Sequence, residues 1–299
     1  MATLITVVGP TAIGKTALSI RLANYYNAPI ISCDSRQFYK EMTIGTAVPD
    51  AEELTAASHH FIQNRSITED YSVGQFEKDS LEKLSELFEE NEVVIMVGGS
   101  GLYVDAVLKG LDYFPDVDES IRVQLIADLE EFGIGHLQKQ LQELDPLSYT
   151  TIAIDNPQRL IRALEVTIGT KIPFSTFKNK PKSPRSFHSI KIGINADRAI
   201  IYDRINQRVD LMMEQGLLDE VKQLLKHKEL NALQTVGYKE LFLYLENKMT
   251  LEEAIEEIKK NTRRFAKRQL TWFRKDPEIL WFDYLTKFNA IIKEVETKI

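Results

Sequence analysis

Apolar residues gather in short dense runs along this chain, separated by longer stretches of helical period. Leu4-Ile-Thr-Val-Val8, Pro29-Ile-Ile-Ser-Cys33, Val93-Val-Ile-Met-Val97, Ile190-Lys-Ile-Gly-Ile-Asn195 and Ile279-Leu-Trp-Phe282 are four to six residues long. Such runs suit parallel strands buried on both faces. Residues 17–23, 75–88 and 203–227 repeat their apolar positions with helical spacing. Strand and helix in alternation predict an α/β fold, a doubly wound parallel sheet with ligands at the carboxyl ends of its strands. Cys33 falls inside the second run, which predicts a packing role for it.

The strand pattern stops between about Asp116 and Arg185. Segments 118–132, 134–144 and 156–168 all have helical period, and Asn156 followed by Pro157 is a good N-cap with proline at the first helical position. The expected organisation is a core of residues 1–115 and 186–299, interrupted by an all-helical insertion over 116–185. The insertion ends in 177–185, a basic, proline-containing stretch that should be an exposed connection.

Directly after the first run come Gly9, Pro10, Thr11, Ala12, Ile13, Gly14, Lys15 and Thr16, the phosphate-loop pattern G-x-x-x-x-G-K-[ST] between a strand and a helix. Glycines let several backbone N–H groups point at one anion, and the following helix adds its positive end. Lys15 would reach the outer phosphates, and the Thr16 hydroxyl would be a ligand of Mg²⁺. The chain is therefore expected to bind a di- or triphosphate. Nucleotide hydrolases and switches usually carry a metal-linked Asp after a second strand. Here Val93 to Val97 runs instead into Gly98-Gly-Ser-Gly101 with no carboxylate, and no N-K-x-D tetrapeptide is present. A motor or GTPase switch is disfavoured, leaving phosphate-loop transferases. At the end of the second run, Asp34 suits a general base or a Mg²⁺-linked group, or a plain cap of the next helix.

Composition changes this picture little. Of 299 residues 43% are apolar and 27% charged, as in ordinary globular chains. No apolar run nears the ~20 residues that span a bilayer, and the first strand begins at once, so no membrane segment, no leader and a cytoplasmic setting are expected. One Cys excludes an internal disulfide, and five His, scattered except for His59-His60, make zinc improbable.

Charge matters more by its distribution. The net −7 argues against nucleic acid as a partner. Yet Lys259, Lys260, Arg263, Arg264, Lys267, Arg268, Arg274 and Lys275 follow one another with no acidic residue between them. At ~100° per residue, all but Lys259 fall within an arc of roughly 140°. Ile258, Phe265, Gln269, Trp272 and Phe273 would form the opposite, packed face. A solvated face normally mixes signs, so a stripe binding nucleic-acid phosphate is the better reading.

Taken together, Gly9 to Thr16, Asp34-Ser-Arg-Gln37 with Tyr39, Ile44-Gly-Thr-Ala47, Gly98-Gly-Ser-Gly-Leu-Tyr103, Asp155-Asn-Pro-Gln-Arg159, Val236-Gly-Tyr238 and Ala266-Lys-Arg-Gln269 resemble the tRNA dimethylallyltransferases, in order and over nearly the whole chain. The resemblance implies a phosphate-loop, kinase-like core with an inserted helical domain that grips the anticodon arm. It also implies transfer of a dimethylallyl group from dimethylallyl diphosphate to the exocyclic N6 amine of the adenosine 3′ of the anticodon, with Mg²⁺ as cofactor and a monomeric enzyme of the bacterial type. Asp34 would then be the base, with Arg204 and Arg208, one helical turn apart, as diphosphate clamps beside the loop. Asp34, Ser35, Arg36, Gln37, Ser100, Arg122, Gln158, Arg159, Leu160, Ile161, Arg162, Arg264, Lys267 and Arg268 would meet the tRNA. Two positions depart from the family pattern. Ser100 replaces Thr and keeps a hydroxyl, whereas Val48 stands where Lys is usual and is assigned no contact. The competing expectations are a small-metabolite kinase, a prenyltransferase of free adenine nucleotides, and a noncatalytic RNA binder with a nucleotide-sensing loop.

Overall fold

The computed structural model describes residues 2–180 and 182–299, so Pro181 of the 177–185 connection lies outside the described residues. The chain divides into two compact units, Met1–Lys109 with Pro184–Ile299, and Gly110–Ser183. The first half of the larger unit runs β1 (Thr3–Val8), α1 (Lys15–Tyr26), β2 (Ile30–Ser32), α2 (Ala51–Ala56), β3 (His59–His60), α3 (Val73–Glu90), β4 (Val93–Val97) and α4 (Gly101–Lys109). The smaller unit holds α5 (Glu119–Phe132), α6 (Ile134–Leu144), α7 (Pro146–Thr151) and α8 (Pro157–Thr170). The larger unit then resumes with β5 (His188–Asn195), α9 (Arg198–Glu214), α10 (Leu217–Leu224), α11 (Tyr238–Leu245), α12 (Leu251–Phe273), β6 (Leu280–Asp283) and α13 (Phe288–Glu296).

Six parallel strands form one sheet in the order β3-β2-β4-β1-β5-β6. β1 lies between β4 and β5, with Thr3 opposite both Val93 and His188, and all six of its residues are buried. Successive side chains of a strand point to opposite faces. Ile5 and Val7 accordingly enter one core with Leu22, Ile95, Ile192 and Ile205. Leu4 and Val8 enter the other with Phe38, Phe76, Met96 and Phe273. A third core, built by α9 to α12, encloses Val221, Leu233, Tyr238, Leu241 and Ile258 together with Tyr39 and Met42.

Three sequence expectations change here. Residues 203–227 do not form one helix: α9 ends at Glu214 and Gly216 turns at φ 100°, a region open to glycine, before Leu217 starts α10 with its side chain fully buried. β3 escaped notice because two histidines on an edge have no apolar periodicity. Cys33 sits one residue past β2, where its N–H bonds the Val97 carbonyl; its side chain is nevertheless buried in the second core.

In the smaller unit Asn156 caps α8 through the Arg159 N–H, and Leu125, Leu137, Leu141, Leu160, Ile161 and Leu164 form a separate core. α7 had no sequence signal beyond its cap. Asp145, 1% exposed, accepts the N–H and hydroxyl protons of both Ser148 and Ser175. Those bonds hold its carboxyl below the usual range against the effect of burial.

Candidate active site

β1 delivers the chain into the phosphate loop under tight control. Gly9 has φ 146°, and a Cβ there would stand 2.4 Å from the Ile194 carbonyl oxygen of β5, so only glycine fits. From behind, the Arg204 Nε donates to the Ala12 carbonyl at 2.7 Å, and the Thr11 N–H bonds the Gln269 Oε1 at 2.9 Å. Gln269 is buried, and its Nε2 donates to the Gly99 carbonyl at 3.0 Å. One amide of α12 thus ties the loop after β1 to the loop after β4. A Cβ on Gly99 would approach that amide nitrogen to 2.1 Å.

Lys15 Nζ donates to the Pro10 carbonyl at 2.9 Å. Burial lowers its pKa to about 8; the Asp34 carboxylate acts in the opposite sense, and the Arg208 charge adds to the lowering. The Arg208 guanidinium is itself lowered, by burial first and then by Arg204. Of the two arginines, Arg208 lines the cleft, while Arg204 braces the loop.

Asp34 leaves the carboxyl end of β2 into the same cleft, which measures about 1240 Å³ and is also lined by Thr16, Ser100, Tyr103, Phe265 and Trp272. Its Oδ1 accepts the Arg36 N–H at 3.1 Å and so caps a turn; no helix follows. The Ser35 N–H bonds the Ser100 Oγ at 3.2 Å, and the two hydroxyls lie 3.1 Å apart. Arg36 does not point to solvent: its NH1 donates to the Asn231 and Ala232 carbonyls at 3.1 and 3.0 Å. Gln37 Nε2 donates to the Thr46 and Ala47 carbonyls at 3.2 and 2.8 Å.

That 43–47 loop rests on a residue the sequence did not single out. Glu220 of α10 accepts the N–H groups of Thr43, Ile44 and Gly45 at 3.0, 2.8 and 3.0 Å, and the Tyr238 hydroxyl at 2.7 Å. Gly45 packs so close to Tyr238 that a Cβ would meet the ring at 2.6 Å. A lone Glu on an amphipathic helix carries no motif, so no sequence signal could have found it.

α12 departs from its expected shape. Phe265 and Trp272 are not packed away but are each 37% exposed and line the cleft, while Ala254, Ile258, Ala266, Gln269 and Phe273 take the buried face. Arg268 lies over the Phe265 ring at 5.7 Å, and the Trp272 Nε1 donates to Asp105 at 2.8 Å. Nor is the whole stripe free of acids. Lys259 pairs with Asp210 and Glu256, Lys260 with Glu257, and Arg263 bonds the Asn206 side chain. Asp210 comes from α9, out of reach of a count along the sequence, whereas Glu256 and Glu257 stand three residues earlier on α12, just before the run that holds no acid. From Arg264 onward the cations Arg264, Lys267, Arg268, Arg274 and Lys275 are exposed.

In the helical unit Gln158 and Arg159 are exposed at the start of α8. Arg122 and Arg162 both pair with Glu165, at 2.9 and 3.1 Å. Leu160 and Ile161 are corrected: at 0% and 4% exposure their side chains belong to that unit's core and cannot meet RNA. Among the described residues no group of three or more His, Cys, Asp or Glu could hold a metal, and no helix is long and apolar enough to cross a membrane.

Comparison with known proteins places these features in context. The family model described as IPP transferase matches residues 37–276. The tRNA dimethylallyltransferase of Flavobacterium johnsoniae is 59% identical over 298 residues, covering 98% of this chain and 96% of the relative. That of Christiangramia forsetii is 60% identical over 296 residues, covering 99% and 98%. Among solved structures, the tRNA isopentenylpyrophosphate transferase of Bacillus halodurans is similar with a TM-score of 0.73 and 38% identity, covering 99% of this chain and 95% of that one. A eukaryotic dimethylallyltransferase acting on tRNA reaches 0.80 at 26% identity, covering 100% of this chain and 76% of its own.

Proposed function

The chain belongs to the IPP transferase family, and from that premise we propose that it transfers the dimethylallyl group of dimethylallyl diphosphate to the exocyclic N6 amine of the adenosine 3′-adjacent to the anticodon of tRNA, releasing diphosphate. The larger unit is the phosphate-loop, kinase-like catalytic core, and the Gly110–Ser183 unit is a helical insertion that holds the anticodon stem-loop. A monomer suffices, since every group in the reaction comes from one chain.

One observation carries the reading: a single cleft is lined by Lys15, Thr16 and Arg208 and by the carboxylate of Asp34. An adenine amine is a weak nucleophile because its lone pair is delocalised into the ring. As its nitrogen bonds the prenyl carbon, the carbon–oxygen bond to diphosphate breaks and Asp34 takes the amine proton. Loop N–H groups, Lys15 and Arg208 neutralise the charge that develops on the leaving diphosphate. The target base must leave its stack to reach such a cleft. Ser35 and Ser100, joined by their hydrogen bonds, offer hydroxyls beside it.

Mg²⁺ fits this donor set. The ion is usually held by one or two protein oxygens together with substrate phosphates. Thr16 supplies one and Asp34 lies in the same cleft, so a caged cluster of side chains is not required. When bound, the ion would supply further neutralising charge to the diphosphate.

Incubating the protein with unmodified tRNA and either labelled dimethylallyl diphosphate or ATP tests the reading. Label should enter the adenosine from the prenyl donor alone. Product formed with ATP in place of the prenyl donor would overturn it in favour of a kinase.

A further inference from the structure

We propose that Glu165 is a positioning residue that holds Arg122 and Arg162 as a preformed two-guanidinium clamp for one phosphate of the bound RNA; this rests on the tRNA-transfer reading above.

Glu165 and Arg162 stand three residues apart on α8, hence on one face, whereas Arg122 arrives from α5. Each carboxylate oxygen takes a different guanidinium, Oε2 that of Arg122 at 2.9 Å and Oε1 that of Arg162 at 3.1 Å. The carboxylate is nearly enclosed, with 9% of the side chain exposed, while the arginine side chains remain 45% and 42% exposed. A buried carboxylate needs one cation to balance it; a second brings like charges together and leaves a net positive charge at the surface. A guanidinium has five donor N–H groups, and the bond to Glu165 engages NH1 in each of these two half-exposed side chains. Arg162 is ordered further by the Phe114 ring, 5.6 Å away, which stacks on Phe174 at 4.6 Å and 4°. Two long side chains that would otherwise sample many rotamers are thus held in advance by one carboxylate. Arranged guanidinium forks match the geometry of phosphate oxygens.

The direction of one substitution separates this role from bulk electrostatics. Were Glu165 merely a nearby negative charge, Glu165→Gln would strengthen tRNA binding. A positioning role predicts the reverse: the KM for tRNA rises roughly tenfold as two side chains lose their order, with kcat and the KM for dimethylallyl diphosphate unchanged. A double-mutant cycle with Arg122→Gln supplies the second measurement. If Glu165 acts through Arg122, adding Glu165→Gln to Arg122→Gln costs much less than it does alone. Full multiplication of the two effects, or a lowered KM in Glu165→Gln, would overturn the proposal even if the variant also lost thermal stability. Should Glu165→Gln fail to fold, Glu165→Asp enters the same cycle and is judged by the same two outcomes. An Arg122→Gln variant with normal tRNA KM would instead undercut the tRNA-holding role of the helical unit itself.

Discussion

The two units handle charge in opposite ways. In the α/β unit the charges that matter are drawn inward: Lys15 is buried enough to lose ionisation near pH 8, and Arg208 feels the same burial. In the helical unit the carboxylate is the buried partner and the cations face out. Low-dielectric burial strengthens each charge interaction and suits a reaction whose transition state must be met at fixed points. Outward cations suit a long polyanion whose phosphates are met many at a time. Bond making requires exact position; holding RNA requires charge displayed at low cost.

The largest test strikes the inward set. Lys15→Ala should lower single-turnover transfer by about 10³-fold or more, the upper end for loss of one transition-state donor. Diphosphate binding by the native protein should weaken as pH rises through about 8, where Lys15 loses its proton, and Lys15→Arg should abolish that break. Equilibrium titrations across pH 7 to 9 follow it.

Next comes Asp34→Ala, expected to cost roughly 10²-fold in kcat with dimethylallyl diphosphate binding kept. Turnover near that of the native chain would reduce Asp34 to the cap of the Arg36 N–H and remove the chemical half of the contrast.

A smaller effect should separate scaffold from chemistry inside the same unit. Gln269→Ala leaves the Thr11 N–H and the Gly99 carbonyl without their partner. Each buried group so stranded costs about 1–3 kcal/mol, so thermal melting should fall on the order of 5 °C. Unaltered melting would mean that the bridge is dispensable.

The smallest effects belong to the outward charges of α12. Arg264→Gln and Lys267→Gln should each flatten the log–log salt dependence of tRNA binding by about one, with no change in affinity for diphosphate. Lys260→Gln should leave the slope unchanged, because Glu257 already balances Lys260. Equal slopes in all three variants would erase the distinction between the two halves of the stripe.

How far the sequence foretold this molecule follows from the range of each interaction. The phosphate loop, the buried strands and the α8 cap were legible because each depends on neighbours within a few residues. Gln269 lies on the packed face as its helical angle predicts. Its bond to Gly99, the Glu220 bonds to 43–45 and the Arg36 bonds to 231 and 232 each join residues 170 or more positions apart, beyond the reach of any local pattern. Phe265 and Trp272 were assigned to the packed face by helical angle alone, yet α12 lies along a cleft that leaves both rings accessible. The seven-residue interval between them, with Arg268 three residues beyond one and Lys275 three beyond the other, was the overlooked signal. Leu160 and Ile161 erred the opposite way, since a motif shared along the chain does not distinguish the inner from the outer face of a helix.

Glu220 also bears on which changes this lineage can accumulate without harm. It grips the 43–45 segment by main-chain N–H groups, which every residue except proline possesses. The anchor itself therefore does not depend on the side chains at 43 and 44, which are held separately, the Thr43 hydroxyl by the Gln63 amide and Ile44 by the third core. Val48 could likewise replace the usual lysine with the anchor intact. The fragile inheritance is elsewhere: a single base change that removes the carboxylate of α10 would loosen a loop 175 residues upstream, and nothing in that loop's own spelling would register the loss.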